Sequence, residues 1–150
     1  MDPPGPPGVA TLSRTLRVPV KRGARLPYQG TKESAGHDIY CPTHTVLPPG
    51  KQTCVPLKLH TRVPPGYFLK LFGRSSIERE GVILLAGLVD SDYTGEIQAV
   101  FWNLGTEAFE FNKGQRLCQG VIFKTHEVEF YHVDTLPTTE RGANGFGSTN

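Results

Sequence analysis

The sequence predicts a single all-β domain, and three features carry that expectation. Apolar runs of four to eight residues, often alternating with polar ones, recur along the body of the chain. Pro-Gly, Pro-Pro-Gly, Asn-Leu-Gly and Lys-Gly steps punctuate them, as turns between short strands require. No stretch of ordinary helical length places apolar side chains on one face of a 3.6-residue period.

Residues 1–13 are dominated by Pro and Gly around one acidic side chain, too little apolar surface to offset the entropy of ordering, and are expected to be a disordered arm. The domain proper spans 14–135. Its clearest strand is 55–63, where Val55, Leu57, Leu59, Thr61 and Val63 share one face while Lys58, His60 and Arg62 share the other. A Pro64-Pro65-Gly66 turn leads into a strand at 67–72, and further strands read at 96–102, 108–111, 117–123 and 128–133. One helical turn is expected at 76–80, with Ser75 as its cap and Glu78 in its first turn. Residues 136–150 form a Gly-rich tail that nonetheless carries Arg141 and Phe146.

Bulk properties exclude several classes. A chain of 150 residues supports one core burying roughly two-thirds of its unfolded surface. Its net charge of +2 comes from intermixed acids and bases, so no block is fitted to a nucleic-acid backbone or an anionic membrane. Cys41, Cys54 and Cys118 are scattered and read as reduced thiols, and no run reaches the roughly 20 apolar residues of a membrane span. With no signal-peptide pattern at the start, cytosol or nucleus is the expected compartment. His37, His44, His60, His126 and His132 lack the spacing of a transition-metal site. Phosphate-binding P-loop, Rossmann and nucleophile-elbow patterns are missing as well.

Three clusters suit chemistry. The segment Gly87-Leu88-Val89-Asp90-Ser91-Asp92-Tyr93-Thr94-Gly95 runs an apolar stretch into a turn with two carboxylates and an aromatic ring. It reads as a plain hairpin turn, or as a general base held rigidly beside a water with Tyr93 walling a pocket. Phe72-Gly73-Arg74-Ser75-Ser76 reads as a capped turn, or as an anion site built from backbone amides, a guanidinium and hydroxyls. The tail 139–149 reads as a frayed end, or as glycines that wrap a phosphate chain while Phe146 covers a base.

Taken in order with Ala35-Gly36-His37-Asp38-Ile39-Tyr40 and Gly114-Gln115-Arg116-Leu117-Cys118-Gln119, these clusters resemble the five motifs of the trimeric deoxyuridine triphosphatase (dUTPase) family. The likeness runs from about Leu16 to the last residue. It implies a jelly-roll-type β-barrel assembled as a homotrimer with shared active sites and a flexible C-terminal lid. The implied activity is Mg²⁺-assisted hydrolysis of dUTP to dUMP and pyrophosphate, which keeps uracil out of DNA and supplies dUMP for thymidylate synthesis.

By the same resemblance Asp90 activates the water that attacks the α-phosphorus, and Asp38 holds Mg²⁺ through its water shell. Arg74, Ser75, the Ser76 amide and Gln119 take the α- and β-phosphates, with Arg74 grouped with Asp90 as catalytic because charge builds on the phosphate oxygens. Arg141, Gly147, Ser148 and Thr149 take the γ-phosphate, and Phe146 stacks on uracil. Backbone around Gly87 and Val89 reads the uracil edge, while Tyr93 packs on deoxyribose and rejects a 2′-hydroxyl.

The sequence also departs from the family pattern. Gly73-Arg74-Ser75-Ser76-Ile77-Glu78 stands where Pro-Arg-Ser-Gly-Leu-Ala is common, and Cys118 and Gly120 stand where Ala and an apolar residue are usual. The Gly-Arg-Ser-Ser form resembles retroviral-type members, so a viral origin and a cellular one both fit. It also resembles dCTP deaminases, in which an Arg follows as Arg79 does here, but Val100 occupies the place of their glutamate. A catalytically silent relative that binds another protein is the alternative from a different class, and the retained Asp38, Asp90 and Tyr93 weigh against it.

Overall fold

Pleat parity organises the chain, whose computed structural model describes residues 15–147. The expected arm at 1–13 and the site residues Ser148 and Thr149 lie outside the described residues. Strands β1 (His37–Tyr40), β2 (Thr45–Leu47), β3 (Gln52–Leu59) and β4 (Tyr67–Phe72) precede helix α1 (Ser75–Glu78). Strands β5 (Val82–Ala86), β6 (Leu88–Val89), β7 (Ile97–Asn103), β8 (Phe109–Phe111) and β9 (Arg116–Lys124) follow it.

The strands pair antiparallel in three sheets, ordered β1-β9-β4-β6, β2-β8 and β3-β7-β5. Strands distant in sequence become neighbours, which brings both ends of the chain's body into one sheet. Each sheet turns its apolar face inward: Ile39, Leu69, Leu71 and Leu117 from the first, Leu47 and Phe111 from the second, Val55, Leu57, Ile97 and Phe101 from the third. Phe101 and Phe111 meet with ring centroids 5.4 Å apart, in the tilted geometry aromatic quadrupoles favour. Asn103 is buried among them with both ends of its amide satisfied. Its Nδ2 donates to the Leu47 and Glu107 carbonyls at 3.0 and 2.8 Å, and its Oδ1 accepts from Gly105 at 2.9 Å.

The 55–63 alternation holds: Val55, Leu57, Leu59, Thr61 and Val63 are all buried. The strand itself does not run straight through. Pro56 faces Gln98 but Leu59 faces Ile97, so two residues of β3 are extra, and Lys58 takes a φ of 55°. An even insertion preserves the inward parity, which is why the sequence pattern shows no break there.

Two other expectations are corrected, and several strands are added. Helix α1 begins at Ser75, with Arg74 as N-cap and no side-chain cap bond, so Ser75 does not cap it. Burial of Ile77 against the core anchors the turn instead. The expected strand at 128–133 is not formed: Val128, Phe130 and Tyr131 are 63, 95 and 79% exposed, and a period of two without a facing strand has nothing to hydrogen-bond. Strands β1, β2 and β6 went unforeseen, being four residues or fewer, and the continuous apolar run of β5 carries no period to read.

Candidate active site

Sheet register builds the first group of predicted residues. Gln119 on β9 faces Asp38 of β1 on one side and Phe72, the last residue of β4, on the other. Its Nε2 donates to the Gly73 carbonyl at 3.2 Å, tying the sheet to the Gly73-Arg74-Ser75-Ser76 turn. Arg74 Nη1 reaches back to the Arg116 carbonyl at 3.4 Å, and the Arg116 guanidinium lies 3.9 Å from Asp38. Asp38, Arg74, Ser75, Ser76 and Gln119 therefore stand around one sheet end, with both serines exposed.

Among the described residues no cluster of three His, Cys, Asp or Glu side chains could enclose a metal. The donor set nevertheless fits Mg²⁺ arriving with a nucleotide. Asp38 is a half-buried carboxylate only loosely engaged by Arg116, and a hard cation that keeps its waters and takes phosphate oxygens needs few protein ligands.

Beside Asp38 in the structure, Cys118 is fully buried on β9, and its thiol is pushed up to about 12, chiefly by burial and then by the negative charge of Asp38. It is a packing residue and no nucleophile.

The second group lies across β4 from the first. Leu69 pairs with Val89, and the Leu71 amide donates to the Gly87 carbonyl at 2.8 Å, drawing the 87–96 loop onto the sheet edge. A cavity of about 340 Å³ opens there, with Leu71, Gly87, Val89, Asp90, Tyr93 and Ile97 in its walls. That is the lower end of the range for small-molecule sites. Gly87 is obligatory, since a Cβ would sit 2.8 Å from the Leu71 carbonyl oxygen and 3.1 Å from its nitrogen, both backbone atoms that cannot swing away. The Tyr93 amide donates to the Asp90 carbonyl at 3.1 Å, closing a turn, and the Tyr93 hydroxyl donates to the Glu96 carbonyl at 2.7 Å. Asp90 is exposed at the mouth.

The third group stands apart. Arg141 Nε donates to the Asn144 carbonyl at 2.5 Å and the Gly142 amide to Thr139 Oγ1 at 3.0 Å, so the tail makes its own local turn. Phe146 is fully exposed at a φ of 50°, followed by Gly147 at 82°.

The dUTPase family model matches residues 22–150. The chain belongs to the dUTPase family. A deoxyuridine 5′-triphosphate nucleotidohydrolase of Kluyveromyces lactis is 36% identical over 142 residues, covering 93% of this chain and 96% of that protein. One of Nautilia profundicola is 37% identical over 129 residues, with 84% and 91% covered. A segment amounting to 12% of the Pol polyprotein of equine infectious anemia virus (strain Wyoming) is 32% identical over 136 residues, 87% of this chain.

Among solved structures, a point mutant of the Staphylococcus bacteriophage 80alpha dUTPase with dUpNHpp superposes at a TM-score of 0.82 with 23% identity, over 89% of this chain and 98% of that one. A point-mutant dUTPase of phage phi11 of S. aureus, described for its coordination of a structural Mg(II) ion, superposes at 0.72 with 23% identity, over 81% and 98%. The all-β, jelly-roll-type architecture is thereby established.

In this dUTPase-family chain, sequence reasoning missed Leu71, Ile97 and Gln98 as cavity walls and Arg116 as the neighbour of Asp38. Leu71 owes its place to the β4–β6 register, which no local pattern announces. Gln98 had a signal, as the third residue of the alternating strand after Gly95.

Proposed function

We propose that this chain hydrolyses dUTP to dUMP and pyrophosphate, as a homotrimer whose active sites each draw on more than one subunit. The observation that carries the reading is the turn from Asp90 to Tyr93 at the mouth of a nucleoside-sized cavity, on the fold of the dUTPase family.

The uracil edge enters beside Gly87 and Val89, whose backbone offers donors and acceptors at fixed positions. Deoxyribose packs on Tyr93, whose ring is held by the hydroxyl's bond to Glu96, so a 2′-hydroxyl meets a wall that does not yield. Arg74, Ser75, Ser76 and Gln119 bind the α- and β-phosphates. Asp90 orients a water toward the α-phosphorus and takes its proton as the oxygen attacks, and pyrophosphate departs. Arg74 offsets the charge that develops on the phosphate oxygens. Asp38 would hold Mg²⁺ through water, and the ion when bound would offset triphosphate charge.

Arg141, Phe146 and Gly147, with Ser148 and Thr149 beyond them, close over the nucleotide as a lid that excludes water. Exposure of Phe130, Tyr131, Leu136 and Phe146 supports a lid that rests on a neighbouring subunit, because such apolar side chains gain nothing where they stand in a lone chain. Cytosol or nucleus is the proposed compartment: all three cysteines are free thiols, and no helix among the described residues is long and apolar enough to cross a membrane.

Pyrophosphate release from dUTP, with UTP and dTTP run in parallel, tests the reading. The expected outcome is turnover of dUTP alone, reduced about 10²- to 10⁴-fold in Asp90→Asn. An inert wild-type chain, or equal turnover of all three nucleotides, refutes it.

A further inference from the structure

The far end of β3 grips the loop that bears Asp90 and Tyr93. Past Leu59, which still faces Ile97, the chain leaves β7, and Lys58 in the bulge with His60 and Arg62 beyond the strand are turned onto residues 91–96. Glu96 Oε2 accepts the Lys58 amide at 2.9 Å, which satisfies a donor that the bulge removes from the ladder. His60 Nδ1 lies 3.1 Å from the Thr94 carbonyl; a carbonyl only accepts, so that nitrogen carries the hydrogen. Arg62 Nη1 donates to the Ser91 carbonyl at 2.5 Å and to the Val63 carbonyl at 3.0 Å.

Among the described residues, no other hydrogen bond reaches the peptide on which the Arg62 contact falls. The bond from the Tyr93 amide to the Asp90 carbonyl closes a four-residue turn, and such a turn uses only its first carbonyl and last amide. Turning its central peptide, between Ser91 and Asp92, from the type I toward the type II arrangement carries Asp92 to a positive φ that it does not have here, and re-aims the residues on either side. A guanidinium donating to the Ser91 oxygen selects one orientation. The second bond, to Val63, anchors the same guanidinium to the strand, so the selection is referred to the core.

We propose that Arg62 is a positioning residue: by fixing the central peptide of the 90–93 turn it sets the direction of the Asp90 carboxylate and the Tyr93 ring, and with them both turnover and rejection of the 2′-hydroxyl. His60 supports it at Thr94. The proposal rests on the functional reading given above for this cavity.

Arg62→Ala, Arg62→Lys and the wild-type chain are compared by kcat and KM on dUTP, by the dUTP-to-UTP ratio of kcat/KM, and by amide exchange over residues 91–94. Arg62→Ala is expected to lower kcat on dUTP about 10²-fold, the cost of a misplacement near 1 Å. It should also narrow the nucleotide ratio and speed exchange at 91–94, with the melting temperature little changed because the side chain is exposed. Arg62→Lys, which keeps a donor, should recover part of all three. Wild-type kcat and discrimination in Arg62→Ala overturn the proposal, as does unchanged exchange at 91–94. If the wild-type chain proves inert on dUTP, the functional reading fails instead, and exchange alone then decides whether Arg62 holds the turn.

Discussion

The two halves of the site are held in opposite ways. Asp38, Gln119, Gly87 and Val89 sit on strands or directly beside them, and their positions follow from sheet register backed by a core that includes the buried Phe101 and Leu117. Arg141 and Phe146 belong to a stretch from His126 to Gly147 in which every described residue but Gly145 is exposed, and local bonds such as Arg141 to Asn144 and Gly142 to Thr139 shape its turn. A strand-held group costs no ordering entropy when a ligand binds. A tail-held group does, and in exchange it can close behind the substrate and open again for release. On the proposed reading, the difference teaches that rigidity lies where the base and the inner phosphates are held, and adaptability where the nucleotide enters.

Deleting residues 141–150 is the largest test of that contrast. It should cut kcat/KM on dUTP by about 10²-fold or more while leaving the melting temperature in place, since none of the described residues 141–147 belongs to the core. A large fall in melting temperature would show that the tail supports the fold and erase the distinction. Gly87→Ala addresses the other half. Its Cβ meets Leu71 backbone at 2.8 Å, so stability is expected to fall by about 1–3 kcal/mol together with activity, as measured by denaturant unfolding and turnover. Loss of activity at unchanged stability would mean the strand edge is more yielding than the packing implies.

The smallest effect belongs to Cys118. Its thiol is held near 12 in the folded chain against an ordinary 9.0, so the folded state keeps a proton that the unfolded state releases above pH 9. Stability from this source is intact below pH 9 and declines as pH rises from 9 toward 12, by about 1.4 kcal/mol per pH unit. Cys118→Ala should show a shallower decline between pH 9 and 10.5 in urea unfolding; an identical slope would locate the alkaline sensitivity elsewhere.

Much of this was legible in the residues. Alternation located strands β3, β4, β7, β8 and β9 to within a residue or a few, and two-fold parity survived the Lys58 bulge because the insertion is even. The motif clusters singled out Asp38 and Gln119, which the register places side by side, and Asp90 and Tyr93, which line one cavity. What periodicity could not supply was pairing. It read 128–133 as a strand because the pattern is right, yet a strand exists only against a partner edge, and among the described residues of this chain that segment has none. Arg62, Glu96 and Leu71 escaped for the same reason: their importance lies in contacts 16 to 38 residues away in sequence, set by register and by a bulge.

Mixing Asp90→Asn chains with chains truncated before Arg141, under conditions that exchange subunits, tests the shared-site account most directly. Each variant alone should be nearly inactive on dUTP, and the mixture should regain turnover, because an intact tail from one chain can complete a site whose Asp90 comes from another. A mixture that exchanges subunits and stays as inactive as its components would contradict it.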